Sequence, residues 1–133
     1  MDLIDHFFSA RRYAVAGAST QTSKYGYRVF RALVDSGRST DPLNPHAAEI
    51  DGIKAYPSIS ALPDVPESVS IVTPPMVTRR IVDDAIRAGV QSLWMQPGAE
   101  EKEASQRARD AGIHVIDDGS CILVLLSRYK HQS

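Results

Sequence analysis

The residues best placed to do chemistry lie between Tyr13 and Arg28. Tyr13-Ala-Val-Ala16 has the composition of a short buried strand. Gly17 then opens a loop rich in hydroxyls (Ser19, Thr20, Thr22, Ser23), and Lys24-Tyr25 leads into a helix. A helix that starts on such a loop turns its first backbone N–H groups outward, where an anion can accept them. Lys24 adds a counter-charge, so the chemistry expected here is phosphate binding. The common dinucleotide fingerprint needs glycines at its first, third and sixth positions. Counted from Gly17, those positions hold Ser19 and Thr22, and the next glycine is Gly26. The loop reads as a phosphate site and not as a standard NAD turn.

Strands and helices alternate around this loop. Strands are expected at Tyr13–Ala16, Thr40–Leu43, Val69–Thr73, Ser92–Met95 and His114–Asp117. The helix Gly26–Ser36 places Val29, Phe30, Leu33 and Val34 on one face, and Gly37 stops it. Met76–Ala88 turns Val77, Ile81, Val82 and Ala85 inward and ends at Gly89, and Glu100–Ala111 ends at Gly112. Between Asn44 and Pro66 the chain reads as turns, with a small helix around Ser58–Leu62. Ile122–Leu126 is an apolar tail that must be buried. Strands alternating with helices of this length imply a parallel sheet, whose ligands sit outside the carboxyl ends of the strands.

Composition narrows the function classes. The 133 residues suit a single domain, 1–133. With 15 basic against 16 acidic side chains and no basic stripe or aromatic platform, nucleic acid is not an expected partner. The single cysteine, Cys121, rules out a disulfide framework or a multi-cysteine zinc site, and no metal is expected. No apolar run approaches the roughly 20 residues of a membrane span. The start, Met1-Asp-Leu-Ile-Asp-His, lacks the basic region of a signal peptide. The expectation is a cytoplasmic protein.

The strand ends carry a family resemblance. They are Val15-Ala-Gly17-Ala18-Ser19, the helix entry Ser23-Lys24-Tyr25-Gly26-Tyr27-Arg28, and Pro42-Leu43-Asn44-Pro45. Glu49-Ile-Asp51-Gly52-Ile-Lys54-Ala-Tyr56-Pro57 follows, then Val72-Thr73-Pro74-Pro75 and Leu93-Trp94-Met95-Gln96-Pro97-Gly98. In order and spacing this set resembles the small CoA-binding proteins related to the CoA-binding domain of the succinyl-CoA synthetase alpha subunit. The resemblance spans about Tyr13 to Leu126. It implies an α/β, Rossmann-like three-layer sandwich whose five-stranded parallel sheet has the order 3-2-1-4-5, with coenzyme A lying across its carboxyl ends.

The resemblance also implies roles. Gly17, Ala18, Ser19, Thr20, Lys24 and Tyr25 match the pyrophosphate loop. Asn44 and His46 match the stretch beside the adenosine and its 3′-phosphate, and Val72, Thr73, Pro74 and Pro75 match the adenine wall. Gln96, Pro97 and Gly98 lie towards the pantetheine arm. This chain departs from the family pattern at His46, where a Lys or Arg is frequent, and at Ile122, where a proline frequently follows the cysteine. Lys54 is the second candidate for the 3′-phosphate.

The same residues have plainer readings. Lys24 reads as a solvated lysine, His46 as a surface turn residue and Cys121 as a small buried hydrophobe. Trp94 and Met95 read as core or dimer surface. His114 starts its strand on the edge away from the cleft. Asp117 and Asp118, as neighbours on a strand, point to opposite faces and make a poor acid–base pair. No catalytic constellation emerges, and the synthetase's phosphorylated histidine and nucleotide-hydrolysing module are not expected within these 133 residues. The reading is a module that binds CoA or an acyl-CoA without chemistry of its own. A minimal NAD(P)-linked oxidoreductase using Asp41 for the ribose, and an interaction module with a degenerate cleft, stand as alternatives. Whether the partner is a second copy or another enzyme stays open.

Overall fold

The computed structural model describes residues 1–129. Seven strands form, namely β1 Arg12–Ala16, β2 Ser39–Leu43, β3 Glu49–Ile50, β4 Ile53–Lys54, β5 Ser68–Ile71, β6 Ser92–Met95 and β7 His114–Ile116. The helices are α1 Leu3–Phe8, α2 Tyr25–Asp35, α3 Pro75–Ala88, α4 Lys102–Asp110 and α5 Ile122–Leu125. Five strands build one sheet in the order β2-β1-β5-β6-β7, with every pairing parallel. The α/β class, the parallel sheet and its five strands are as the sequence implies.

The order needs one clarification. Counted over the five full strands alone it is 2-1-3-4-5. Beyond β2 the edge is held by a single residue, Tyr56, which bridges Leu43 in parallel. Its N–H donates to Pro42 O at 3.0 Å, and its carbonyl accepts from Asn44 N at 2.9 Å. The implied order put the third strand outside β2; in the sheet β5 lies between β1 and β6, and only the Tyr56 bridge stands outside β2.

Period-two alternation divides the core. Ala14 and Ala16 of β1 face one side, with Val69, Ile71, Leu93 and Met95, and meet Val82 and Ala85 of α3 and Ala104 and Ala108 of α4. Tyr13, Val15 and Trp94 face the other side, where Val29, Phe30 and Leu33 of α2, Phe7 and Phe8 of α1 and Ile122 of α5 cover them. The sheet is therefore the middle of three layers. Trp94 and Met95 are wholly buried, which assigns them to the core and not to a dimer surface.

Several boundaries differ from expectation for local reasons. β5 stops at Ile71, so Val72 and Thr73 belong to the loop above the sheet. Pro75 opens α3, where its missing N–H costs nothing. The 44–66 segment contains the β3–β4 hairpin, turned by Asp51 and Gly52 at positive φ, as well as the short helix at Ile59–Ala61. α1 forms on a capping box between Asp2 and Asp5. The tail 122–126 is only half buried: Ile122 and Leu126 point inward, whereas Leu123 and Val124 are exposed.

Candidate functional site

The carboxyl edge is built around two glycines. Gly17 ends β1 at φ +88°, and a side chain there would overlap Val72 O and sit 2.7 Å from Val72 C. Gly26, in the first turn of α2, lies against the Gly17 carbonyl; a Cβ at 26 would overlap Gly17 O and sit 2.9 Å from its carbon. The helix therefore starts in direct backbone contact with the end of β1. That is the packing role of the last glycine in the dinucleotide fingerprint. A longer loop carries it here to Gly26, and reading by fixed spacing misses it.

The intervening loop is pinned at both ends. Ser19 Oγ accepts from Gln21 N at 3.0 Å, and Gln21 O accepts from Lys24 N at 3.0 Å. No side chain caps α2, so its N-terminal N–H groups remain available as donors. Lys24 and Thr20 are exposed beside them, and Ser19 is half-buried. Ala18 is buried and takes part through its backbone, accepting from Asn44 Nδ2 at 2.9 Å. Asn44 Oδ1 in turn accepts from His46 N at 2.7 Å. Asn44 is thus a clamp that ties the β2 loop to the β1 loop, and the His46 imidazole stands in the exposed part of that turn.

Two concavities lie along this edge. One of about 330 Å³ is lined by Gly17, Leu43 and Pro45, by Pro57 and Ser58, by Thr73, and by Val77, Arg80, Ile81 and Asp84 of α3. The other, of about 280 Å³, is lined by Val72, Thr73, Pro74, Pro97, Gly98 and Ala99. Thr73 is common to both. Its hydroxyl is hydrogen-bonded to Thr78 Oγ1 at 2.8 Å, and Thr78 also donates to Ala99 O at 2.8 Å, fixing the β5 loop against the β6 loop. Pro75, at the first position of α3, lines neither. A separate hollow of about 300 Å³ between Ile86 and His114 lies at the amino edge and meets none of these residues.

Gln96 behaves differently from its neighbours Pro97 and Gly98. It is wholly buried and its polar atoms are used internally. Oε1 accepts from Tyr25 Oη at 3.0 Å and from Ile122 N at 2.9 Å, and Nε2 donates to Ser70 Oγ at 3.2 Å. Tyr25 Oη is also 2.7 Å from Cys121 Sγ. With the phenol proton directed at Gln96, the thiol donates to the phenol oxygen. Burial, and then the contact with Cys121, pushes the Tyr25 pKa up, so the phenol stays protonated. Tyr25 and Gln96 thus tie the start of α2 to the β6 end and to the Cys121 turn.

The acidic and histidine candidates are engaged in other contacts. Asp117 pairs with Arg109 at 2.8 Å, and Asp118 holds the Ser120 turn through N and Oγ. His114, at the amino end of β7, stacks on His6 at 4.2 Å, far along its strand from the cleft. Asp41 pairs with Ala14 in the middle of β2, two residues short of the carboxyl edge, and burial raises its pKa. It stands away from where a ribose-binding acid would be needed. Among the described residues no group of three or more His, Cys, Asp or Glu side chains could hold a metal ion. None of their helices is long and apolar enough to cross a membrane.

Parallel strands whose loops gather around a cleft lined by Gly17, with α2 starting against the end of β1, define a Rossmann-like domain. The CoA binding domain family matches residues 11–127, and the chain belongs to that family. It is 30% identical over 125 residues to the alpha subunit of acetate–CoA ligase [ADP-forming] II of Pyrococcus furiosus, a match covering 86% of this chain and 27% of that subunit. The chain thus spans about a quarter of the ligase subunit's length. It is also 30% identical over 121 residues to the uncharacterized protein YneT of Bacillus subtilis, covering 86% of this chain and 84% of YneT. Among solved structures, a hypothetical protein from Pyrococcus horikoshii OT3 superposes with a TM-score of 0.89 at 28% identity, covering 95% of this chain and 88% of that one. The dinucleotide-forming acetyl-coenzyme A synthetase 1 of Ca. Korarchaeum cryptofilum, in complex with phosphate and ADP, gives a TM-score of 0.78 at 31% identity. That match covers 90% of this chain and 28% of the synthetase.

Proposed function

We propose that this chain binds coenzyme A or an acyl-CoA along the carboxyl edge of its sheet and performs no chemistry of its own. The observation that carries the reading is that Gly17, which lines the cleft, has its carbonyl packed against Gly26 in the first turn of the uncapped α2. The pyrophosphate would take the first N–H groups of α2, with the Ser19 and Thr20 hydroxyls and Lys24 beside them. The adenine would lie between Pro45 and Thr73, against rigid apolar surface. The pantetheine arm would run past Pro74, Pro97 and Gly98 towards Cys121. Gln96 would then act through Tyr25 and not by touching the ligand. Membership of the CoA binding domain family supports the choice of CoA over other diphosphates. The mid-strand position of Asp41 counts against the NAD(P) reading.

Calorimetric titration with CoA, dephospho-CoA, NAD and NADP tests this directly. CoA is expected to bind more tightly than either nicotinamide dinucleotide. Binding of NAD(H) at least about tenfold tighter than CoA, or 1.4 kcal/mol, would sink the reading. No binding of any of the four would leave the interaction-module alternative.

Lys24 gives a second, local expectation. Its side chain is exposed and no ion pair holds it among the described residues. Lys24→Ala should weaken CoA by roughly 1–3 kcal/mol, the range for a charge-assisted hydrogen bond, while thermal stability stays near wild type. An unchanged dissociation constant would place Lys24 in solvent, away from the ligand.

A further inference from the structure

We propose that Arg80 of α3 binds the ribose 3′-phosphate of CoA and sets the preference for CoA over its dephosphorylated form; the proposal rests on the CoA reading above. On α3, Val77, Arg80, Ile81 and Asp84 fall at the spacing of one helical face, and all four line the Gly17 cleft. Only two of the cleft's lining residues are charged, Arg80 and Asp84. The Asp84 carboxylate is already taken by Arg87. The neighbouring Arg79 is likewise occupied, by Glu101 and by Glu103 at 3.5 Å. Arg80 is exposed and has no ion pair among the described residues. Apart from the Asp84 carboxylate held by Arg87, the cleft therefore presents one guanidinium without an ion pair among the described residues, against apolar or hydroxylic walls.

Position supports the same assignment. Gly17 belongs both to the cleft and to the loop that feeds α2. A nucleotide with its diphosphate at the start of α2 and its base in the cleft keeps its ribose at the cleft's rim. A second phosphate on that ribose needs a cation there, and a guanidinium can meet it with two parallel hydrogen bonds. The other basic side chains nearby are less well placed. The His46 imidazole does not line the cleft. The Lys54 ammonium sits 5.2 Å from the Tyr56 ring centroid, on the outer hairpin.

The test is calorimetry with CoA and dephospho-CoA on wild type, Arg80→Gln and Arg80→Lys. Wild type is expected to prefer CoA. Arg80→Gln should lose roughly tenfold or more in CoA affinity, the effect of one charge-assisted contact, and bind dephospho-CoA as wild type does. Arg80→Lys, which keeps the charge and loses the fork, should recover part of the preference. Equal loss for both ligands would overturn the proposal, because Arg80 would then act on the base or the shape of the cleft. So would an unchanged CoA affinity, or a wild type that does not distinguish the two ligands. A wild type that binds neither brings down the CoA reading itself, an outcome visible before any variant is compared.

Discussion

Gly26→Ala is expected to destabilise the fold by about 3 kcal/mol or more, the upper range for forcing an extra methyl into a packed core. The added Cβ would overlap the carbonyl oxygen of Gly17 and sit 2.9 Å from its carbon. Both are backbone atoms at the end of β1, and no rotamer change can move them aside. Relief requires α2 to retreat from the sheet, and α2 brings Val29, Phe30 and Leu33 to the core with it. A loss of that size should lower Tm by roughly 10 °C in a domain this small. Gly98→Ala is the contrasting variant. Its φ of +96° strains an alanine, but nothing lies within 4 Å of the added methyl, so the loss should stay within the roughly 1–3 kcal/mol of left-handed backbone strain. Urea unfolding of both variants measures the difference. A cost for Gly26→Ala below about 1 kcal/mol would mean that the α2–β1 contact yields easily. The start of α2 would then be too compliant to present a fixed set of N–H groups to a diphosphate.

What the sequence made legible, and what it hid, follows from the range of each interaction. α2 and α3 could be read because Val29, Phe30 and Leu33, and Val82 and Ala85, repeat at helical spacing and end at Gly37 and Gly89. β6 could be read because its four residues lie between polar turns. β5 was expected to run on to Thr73, because Val72 and Thr73 are β-branched. Where pairing stops depends on the strands beside it, and those are distant in sequence. The β3–β4 hairpin has two residues per strand, too few for any alternation to show. α1 did leave a signal, the Asp2 and Asp5 capping pair, but its single turn and a half is too short for periodicity.

The site divides in the same way. That Gly17, Asn44, Thr73 and Pro97 share one edge could be read because parallel sheets gather their strand ends there, whatever the side chains. The separate duties of those residues could not be found. That Asn44 also ties the β2 loop to the β1 loop shows only once the fold brings Ala18 O within 2.9 Å of it. That Arg80 faces a cleft shows only once the loops opposite α3 are in place. Gly26 reads as an ordinary helix-start glycine until the Gly17 carbonyl lies against it. In each case the deciding partner comes from another element.

Gln96 is the strongest case of such hidden duty, and Gln96→Leu should cost about 2–4 kcal/mol. The leucine fills a similar volume, so the cost is almost wholly polar. Ile122 N loses its acceptor in a buried position, and a stranded buried donor costs about 1–3 kcal/mol. Ser70, wholly buried, loses the partner of its hydroxyl at 3.2 Å. Tyr25 keeps Cys121 but must redirect its proton towards the sulfur. The consequence for binding follows from Tyr25's place as the first residue of α2. Freed from Gln96, it no longer holds the helix start against the β6 end, and CoA affinity should fall although the cleft itself is intact. A double-mutant cycle with Tyr25→Phe isolates the link. If the Tyr25–Gln96 hydrogen bond carries the effect, the double variant loses less affinity than the two single losses added. Strict additivity in both stability and CoA affinity would mean that Gln96 serves only the Ile122 and Ser70 contacts, and that Tyr25 is positioned by packing alone.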